Sequence, residues 1–325
     1  MAYPVKFVPI AQQRIWGGSR LKEWFGATCE EPVGEYWVLS GHPSAPSVVS
    51  NGEMAGKTLM ELAEAFPEAY VGHSPYDRFP LLIKFLEASD DLSVQIHPDD
   101  EYAGNRHGEF GKTEAWYFLE AKEGAKVVYG HSFQYKEEYA AAVRVKRVRD
   151  YLQEREIQKG QLVFVPAGTL HALLAGTILI EIQQTSDITY RVYDWDRVDA
   201  AGAGRELHIE QAADVMRYGE DELPDGTDLS PSEWVRSEGI LHEHLLACPY
   251  FVIEKVTLRA TGYQMELGRA GNPDILVVAS GEGVLDSEPG EPLALRRGDA
   301  VLIPSTIEKY GIRTDSEMEV LKIYY

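Results

Sequence analysis

Three short stretches of the sequence bring together side chains that can do chemistry. In "SVQIHPDD", Gln95 and His97 stand two apart in a β-patterned run that Pro98 ends at once. The two-residue period of a strand puts both on one face. "GKTEAWYFLEA" places Glu114 two residues after Lys112 at the entry of another β-rich run, and "PAGTLHAL" supplies His171. Two imidazoles and a carboxylate suit zinc, with a position left for water or substrate. Manganese or iron would accept the same donors, because two histidines with one carboxylate also form an open non-haem iron set. Gln95 is ambiguous: an amide oxygen is a poor zinc ligand, and hydrogen-bonding a metal-bound water would suit it as well.

A lone histidine usually serves structure. His97 and His171 stand apart because each falls in its own strand-end motif, whereas the duller role for Glu114 is a capping or ion-paired carboxylate. His242 and His244 in "LHEHLL" alternate as a strand pair would, but no third donor lies at useful spacing. His42, His73, His107, His131 and His208 fall among loop residues and are expected to be solvated.

The elements that must position these groups are mostly strands. "KFVPI", "GEYWVLS", "PLLIKFLEAS", "LSVQI", "EAWYFLEA", "AKVVYG", "QLVFVPAG" and "TILIEIQQ" are β-rich and separated by Gly, Pro, Asn and Ser clusters. Helical spacing is confined to segments near 57–70, with Leu59, Leu62 and Phe66 in phase, and near 135–157, which is charged, Ala-rich and free of Gly and Pro. Its Lys/Arg run reads as a solvated helix face. Residues 217–234 are polar and acidic and form the expected linker. After it "YFVIEKVTL", "DILVVASG", "LALRRGDAVLIP" and "MEVLKIYY" give a further all-strand unit.

Two lines of sequence match across that linker. In "KGQLVFVPAGTLHALLAG" Gly160 is followed after five residues by Pro166, and in "RGDAVLIPSTIEKYGI" Gly298 is followed after five by Pro304. This is a turn glycine, a buried strand, and a proline that ends pairing so that the chain can swing a side chain inward. Aligned on the prolines, His171 faces Lys309, so the second copy is expected to keep the scaffold without the ligand. Many short strands with Gly/Pro turns, duplicated, predict a mainly β protein of two tandem jelly-roll barrels with a small helical insertion. The expected units are 1–235, carrying the metal donors, and 236–325, carrying none.

The chain has 325 residues and a formal charge of -21, a field that repels nucleic acid and anionic membranes. An anionic substrate must then be gathered by a local cationic cluster. Lys112 and Arg191 of "SDITYR" are the candidates, with Lys84 of "LLIKFLEA" a third unless it snorkels to solvent. No apolar run approaches the length of a signal peptide core or a membrane span. With Cys29 and Cys248 far apart and in no partnering motif, a soluble cytoplasmic protein with reduced thiols is expected. No feature of the sequence bears on oligomeric state.

The first of the matched lines resembles the second motif of the cupin superfamily, G-x5-P-x-G-x2-H-x3-N, with Ala175 where Asn is usual. Cupins are small jelly rolls that hold a metal inside the barrel. More closely, "GEYWVLSGH", "FPLLIKFLEASDDLSVQIHPDD", "GKTEAWYFLEA", "VPAGTLHAL" and "EIQQTSDITYRVYDWDR" resemble the type I mannose-6-phosphate isomerases, in particular the shorter bacterial branch. The resemblance runs from about residue 7 to the C-terminus. It implies Zn2+ held by Gln95, His97, Glu114 and His171, with Lys112 and Arg191 beside the phosphate of a small sugar-phosphate substrate. It further implies interconversion of mannose 6-phosphate and fructose 6-phosphate through a cis-enediol(ate), with Lys112, Glu181, Asp187 or a zinc-bound hydroxide as the proton carrier. Where longer members carry Arg-Ala-Gly or Arg-Gly-Gly, this sequence has "RVYDWDR", so the loop after Arg191 has its own shape. The readings that compete are an iron-dependent cupin dioxygenase and a non-catalytic sugar-phosphate-binding cupin.

Overall fold

The computed structural model describes residues 2–74, 76, 78–199, 201–219 and 223–325. It is built from antiparallel sheets, as the short alternating runs require. A six-stranded sheet orders Leu162–Val165, Glu114–Ala121, Thr177–Gln184, Leu81–Ala88, Val33–Ser40 and Ile10–Gly18. A five-stranded sheet faces it, ordering Tyr190–Tyr193, Val94–Ile96, His171–Leu173, Lys126–His131 and Leu152–Glu156. Between them lie Trp16, Leu86, Trp116, Phe118, Leu173 and Leu179, the apolar lining of the first jelly roll.

The second unit repeats the plan. Its large sheet runs Ser232–Ser237, Ile240–Ala247, Val252–Arg259, Glu317–Tyr324, Asp274–Ser280 and Ala300–Ile303, and a four-stranded sheet covers it. The N-terminal strand Val5–Val8 leaves the first unit and pairs with Ala300–Ile303, Val5 opposite Leu302. Residues of the two large sheets share one apolar cluster that includes Phe85, Tyr117, Ile182, Ile253, Val277 and Ile323. Strands such as Thr177–Gln184 are therefore buried on both faces, which is why the segment 178–182, ILIEI, does not alternate apolar with polar residues and is interrupted only by Glu181.

Several expectations meet a different outcome. The helix near 135–157 occupies only Lys136–Arg144. Lys146 then takes a left-handed φ of 56°, and Leu152–Glu156 pairs with the edge strand Lys126–His131. An open sheet edge recruits a charged segment that helix propensity alone would leave helical. The expected linker 217–234 includes residues 220–222, which lie outside the described residues, and from Ser232 the chain is already strand. Both cysteines are free thiols, and burial pushes the Cys248 thiol up to about 11. No helix among the described residues is long and apolar enough to cross a membrane.

The turn between Pro166 and His171 depends on Gly168, whose φ of +83° lies where side chains are disfavoured. A Cβ there would stand 2.9 Å from the carbonyl oxygen of Val215. Gly168→Ala is expected to cost roughly 1–3 kcal/mol, read as a lower denaturation midpoint in urea.

Candidate metal centre

The three donors arrive from three separate strand ends. Glu114 opens the strand Glu114–Ala121, His171 opens His171–Leu173, and His97 follows Val94–Ile96. Each is 1% exposed. His171 Nε2 lies 3.4 Å from Glu114 Oε1, and His97 Nε2 lies 3.6 Å from Glu114 Oε2. One donor atom from each residue falls within 4.8 Å of the others. Donors on a tetrahedral ion bound at about 2.0–2.1 Å stand roughly 3.4 Å apart; here each imidazole faces its own oxygen of the Glu114 carboxylate, so the two rings flank one anionic group.

The backbone fixes which ring nitrogens face one another. His97 Nδ1 lies 2.8 Å from the carbonyl of Ile188, and His171 Nδ1 lies 2.8 Å from that of Thr169. A carbonyl only accepts, so each Nδ1 carries the proton and donates it. The Nε2 lone pairs then point inward. Burial lowers the affinity of both imidazoles for a second proton, well below the usual range for His97, where the Lys112 charge adds to the effect. Neutral imidazole is the metal-binding form.

The fit to a cation is tested by what the donors lack. Both oxygens of Glu114 and Nε2 of His171 are buried without a hydrogen-bond partner, a costly state that a positive ion relieves. Lys112 stands in for such an ion. Its Nζ is 2.9 Å from Glu114 Oε2, an ion pair whose angles do not make a hydrogen bond, and 3.1 Å from His97 Nε2. An ammonium already settles among these atoms, and the donor set suits a divalent metal.

Gln95 belongs to the same sheet row as His171 and Arg191: it is the strand partner of both. Cross-strand partners project to one face, so amide, imidazole and guanidine share a surface. Gln95 lines the cavity above the donors. Gln95→Leu is expected to leave metal bound but ~10–100-fold more weakly, measured by competition with a chromogenic chelator.

That cavity, about 440 Å³, is also lined by Lys84, Lys112, Glu181, Arg191 and Arg205, with Trp37 and Trp116 among its aromatic walls. Lys84 does not reach solvent as a snorkelling side chain would. It is 6% exposed and bonds Glu181 Oε1 at 2.8 Å. The two are direct partners across adjacent strands of the six-stranded sheet, on the face that lines the cavity. Glu181 Oε2 accepts from Trp116 Nε1 at 3.2 Å. Burial pushes the Glu181 carboxyl up, but the Lys84 and Lys112 ammoniums outweigh it and hold it down to about 2. For Lys84, burial opposes the charge and Glu181 with Glu35 more than compensates, so it holds its proton more firmly than usual.

Asp187 lines the cavity but is 61% exposed and lies 3.6 Å from His42 Nε2. The bonds of Arg191 go instead to the loop beyond it: Nη1 donates to the carbonyl of Glu206 at 2.8 Å. His42 is 9% exposed rather than solvated and bonds Ser44. His107 bonds the Tyr190 hydroxyl. His242 bonds Glu254 at 2.7 Å and His244 stacks on Trp234, so these alternating histidines are engaged in the second barrel. Glu35, which binds Arg14 and the Trp37 indole, and Arg205 are cavity residues that sequence reasoning missed. Glu35 and Trp37 sit two apart in a strand, a usable signal, whereas nothing local marks Arg205.

The second barrel carries a buried tyrosine beside Lys309, the residue aligned with His171. Gln95 pairs with His171 in the first barrel, and Met265 pairs with Tyr310 in the second. Glu266 pairs with Lys309 at the next step, where Lys309 is 70% exposed, whereas Tyr310 is 1% exposed and faces inward. Asp274 opens its strand opposite Ile303 as Glu114 opens its own opposite Val165. The Tyr310 hydroxyl donates to Asp274 at 2.6 Å.

Comparison with known proteins follows this geometry. The family model "Phosphomannose isomerase type I, catalytic domain" matches residues 5–127. The mannose-6-phosphate isomerase of Streptococcus mutans is 38% identical over 323 residues, 99% of this chain and 98% of that protein. The crystal structure of the mannose 6-phosphate isomerase from Bacillus subtilis superposes with a TM-score of 0.89 at 35% identity over 100% of both chains. A zinc-bound mannose 6-phosphate isomerase at 17% identity shares the fold, with a TM-score of 0.74 over 99% of each chain.

Proposed function

The chain belongs to the type I phosphomannose isomerase family, and from that premise we propose that it interconverts mannose 6-phosphate and fructose 6-phosphate at the His97, Glu114 and His171 centre. The observation that carries the reading is three buried donors from three strands, with orphaned lone pairs, beneath a cavity lined by Lys84, Lys112 and Arg191. Zinc is the metal we assign, because two neutral imidazoles and a carboxylate at these separations match its preferred set.

When bound, the metal supplies electrophilic stabilisation of negative charge on the C1 and C2 oxygens as the reaction passes through an enediolate. The chain's own residues do the rest. Lys112 Nζ touches two donors and also lines the cavity, so it is placed to carry the proton between C1 and C2. Glu181 is poorly suited to carry that proton, because both of its oxygens are engaged and its affinity for a proton is low. It orients Lys84. Arg191 offers a planar fork to the phosphate. Trp37 and Trp116 narrow the cavity and keep water from the reacting carbons.

A coupled assay with mannose 6-phosphate should show turnover in the zinc-replete protein and none after chelation, with solvent deuterium incorporated at C1 of fructose 6-phosphate and at C2 of recovered mannose 6-phosphate. Tight binding of mannose 6-phosphate without exchange would instead identify a sensor.

A further inference from the structure

Arg205 has no role in the reading above, yet it lines the same cavity as Arg191. Asp194, 6% exposed, grips it along one edge: Nε donates to Oδ2 at 2.7 Å and Nη2 to Oδ1 at 2.5 Å. The same carboxylate takes Arg197, whose Nη2 donates to Oδ1 at 2.6 Å. One anion thus serves two guanidiniums, and that grip leaves Nη1 of Arg205 outside the fork.

The loop carrying Arg205 is docked on Arg191 itself. His208 N donates to the Arg191 carbonyl at 2.8 Å, and Arg191 Nη1 donates to the carbonyl of Glu206 at 2.8 Å. A carbonyl neutralises no charge. Arg191 Nε is buried and without a partner. Burial, and then the proximity of Arg205, weaken the hold of Arg191 on its proton. Asp187 is the cavity carboxylate of this region, and it is mostly in water beside His42. Two guanidiniums crowded at one rim, one of them bonded to a carbonyl rather than a carboxylate, make a receptor for a dianion.

The spacing suits a substrate whose phosphate lies at the far end of a six-carbon chain. Arg191, Gln95 and His171 occupy three successive strands in one row, so the Arg191 backbone lies about 10 Å from that of His171. A phosphate at the rim leaves C1 and C2 to reach the donors.

We infer that Arg205, preset by Asp194, is a second phosphate-binding guanidinium that works with Arg191 and sets the preference for phosphorylated sugars. This rests on the isomerase reading for its substrate, but the anion site itself can be measured without turnover. Arg205→Gln in the zinc-loaded enzyme is expected to raise KM for mannose 6-phosphate by ~10–100-fold with kcat nearly unchanged. Calorimetric binding of inorganic phosphate should weaken in parallel, the slow reaction of unphosphorylated mannose should be unaffected, and Arg205→Lys should recover part of the loss. Unchanged KM and unchanged phosphate binding in Arg205→Gln would overturn the inference and leave Arg205 as a clamp on Asp194. The same holds if Arg205→Lys, should Arg205→Gln not fold, keeps wild-type KM and phosphate affinity. Phosphate binding that depends on Arg205 in a protein without turnover would retain this site and reject the isomerase.

Discussion

Lys112→Met is expected to lower turnover of mannose 6-phosphate by ~10²–10⁴-fold, the range for removing a group that transfers a proton in the transition state. Methionine keeps the volume of the stem and removes the ammonium. Metal content should stay near one per chain, because His97, Glu114 and His171 remain. Stability should then depend on metal more steeply than in the wild type. Without the ammonium, Glu114 is buried with two oxygens that lack hydrogen-bond partners and has lost its 2.9 Å ion pair, and breaking a buried pair in this way costs about 3–5 kcal/mol. Chelation should therefore drop the Tm of Lys112→Met much further than that of the wild type. Retained turnover would move proton transfer to another group, and lost metal would make Lys112 a part of the metal site's support.

Glu181→Gln should destabilise the protein by a comparable ~3–5 kcal/mol at neutral pH, measured by urea unfolding of the zinc-loaded form. The amide oxygen can still accept from Lys84, but the ammonium, 6% exposed, loses the negative charge 2.8 Å away. The pH dependence has a definite sign. The Glu181 carboxyl is held at about 2 in the folded protein, below its usual value of about 4.3. Its contribution is present above that usual value and is lost as pH falls through the folded one. The stability gap between wild type and Glu181→Gln should be constant above about pH 5 and close progressively as pH falls from about 4 toward 2. Lys84→Met with Glu181→Leu removes both charges and should recover most of the loss. A gap insensitive to acid would show that the pair contributes little.

Much of the centre is legible in the sequence because its residues sit at strand ends, where local signals are strong. Pro98 and Pro166 stop their strands, Gly168 turns the chain, and the two-residue period states which neighbours share a face. The pairing of Lys84 with Glu181 is not legible, since the partners are 97 positions apart and meet only through the order of strands in the sheet. A lysine in an apolar run looks like a snorkelling residue until the carboxylate opposite it on the next strand is known. Arg205 is invisible for the same reason, its place being set by a loop that returns to Arg191. The helix forecast near 135–157 stops half way because an edge strand offers backbone partners that no local pattern reports.

The strand register has a bearing on ancestry. Lys84 lies opposite Glu181 in one barrel, and Glu254 lies opposite Lys322 at the corresponding step of the other: the same couple with its poles exchanged. If both halves descend from one gene, their sequences record a reversal that no single replacement can accomplish, since either change alone would bury two like charges side by side. The passage must have gone through a neutral residue on at least one side of the pair, or through two substitutions fixed together.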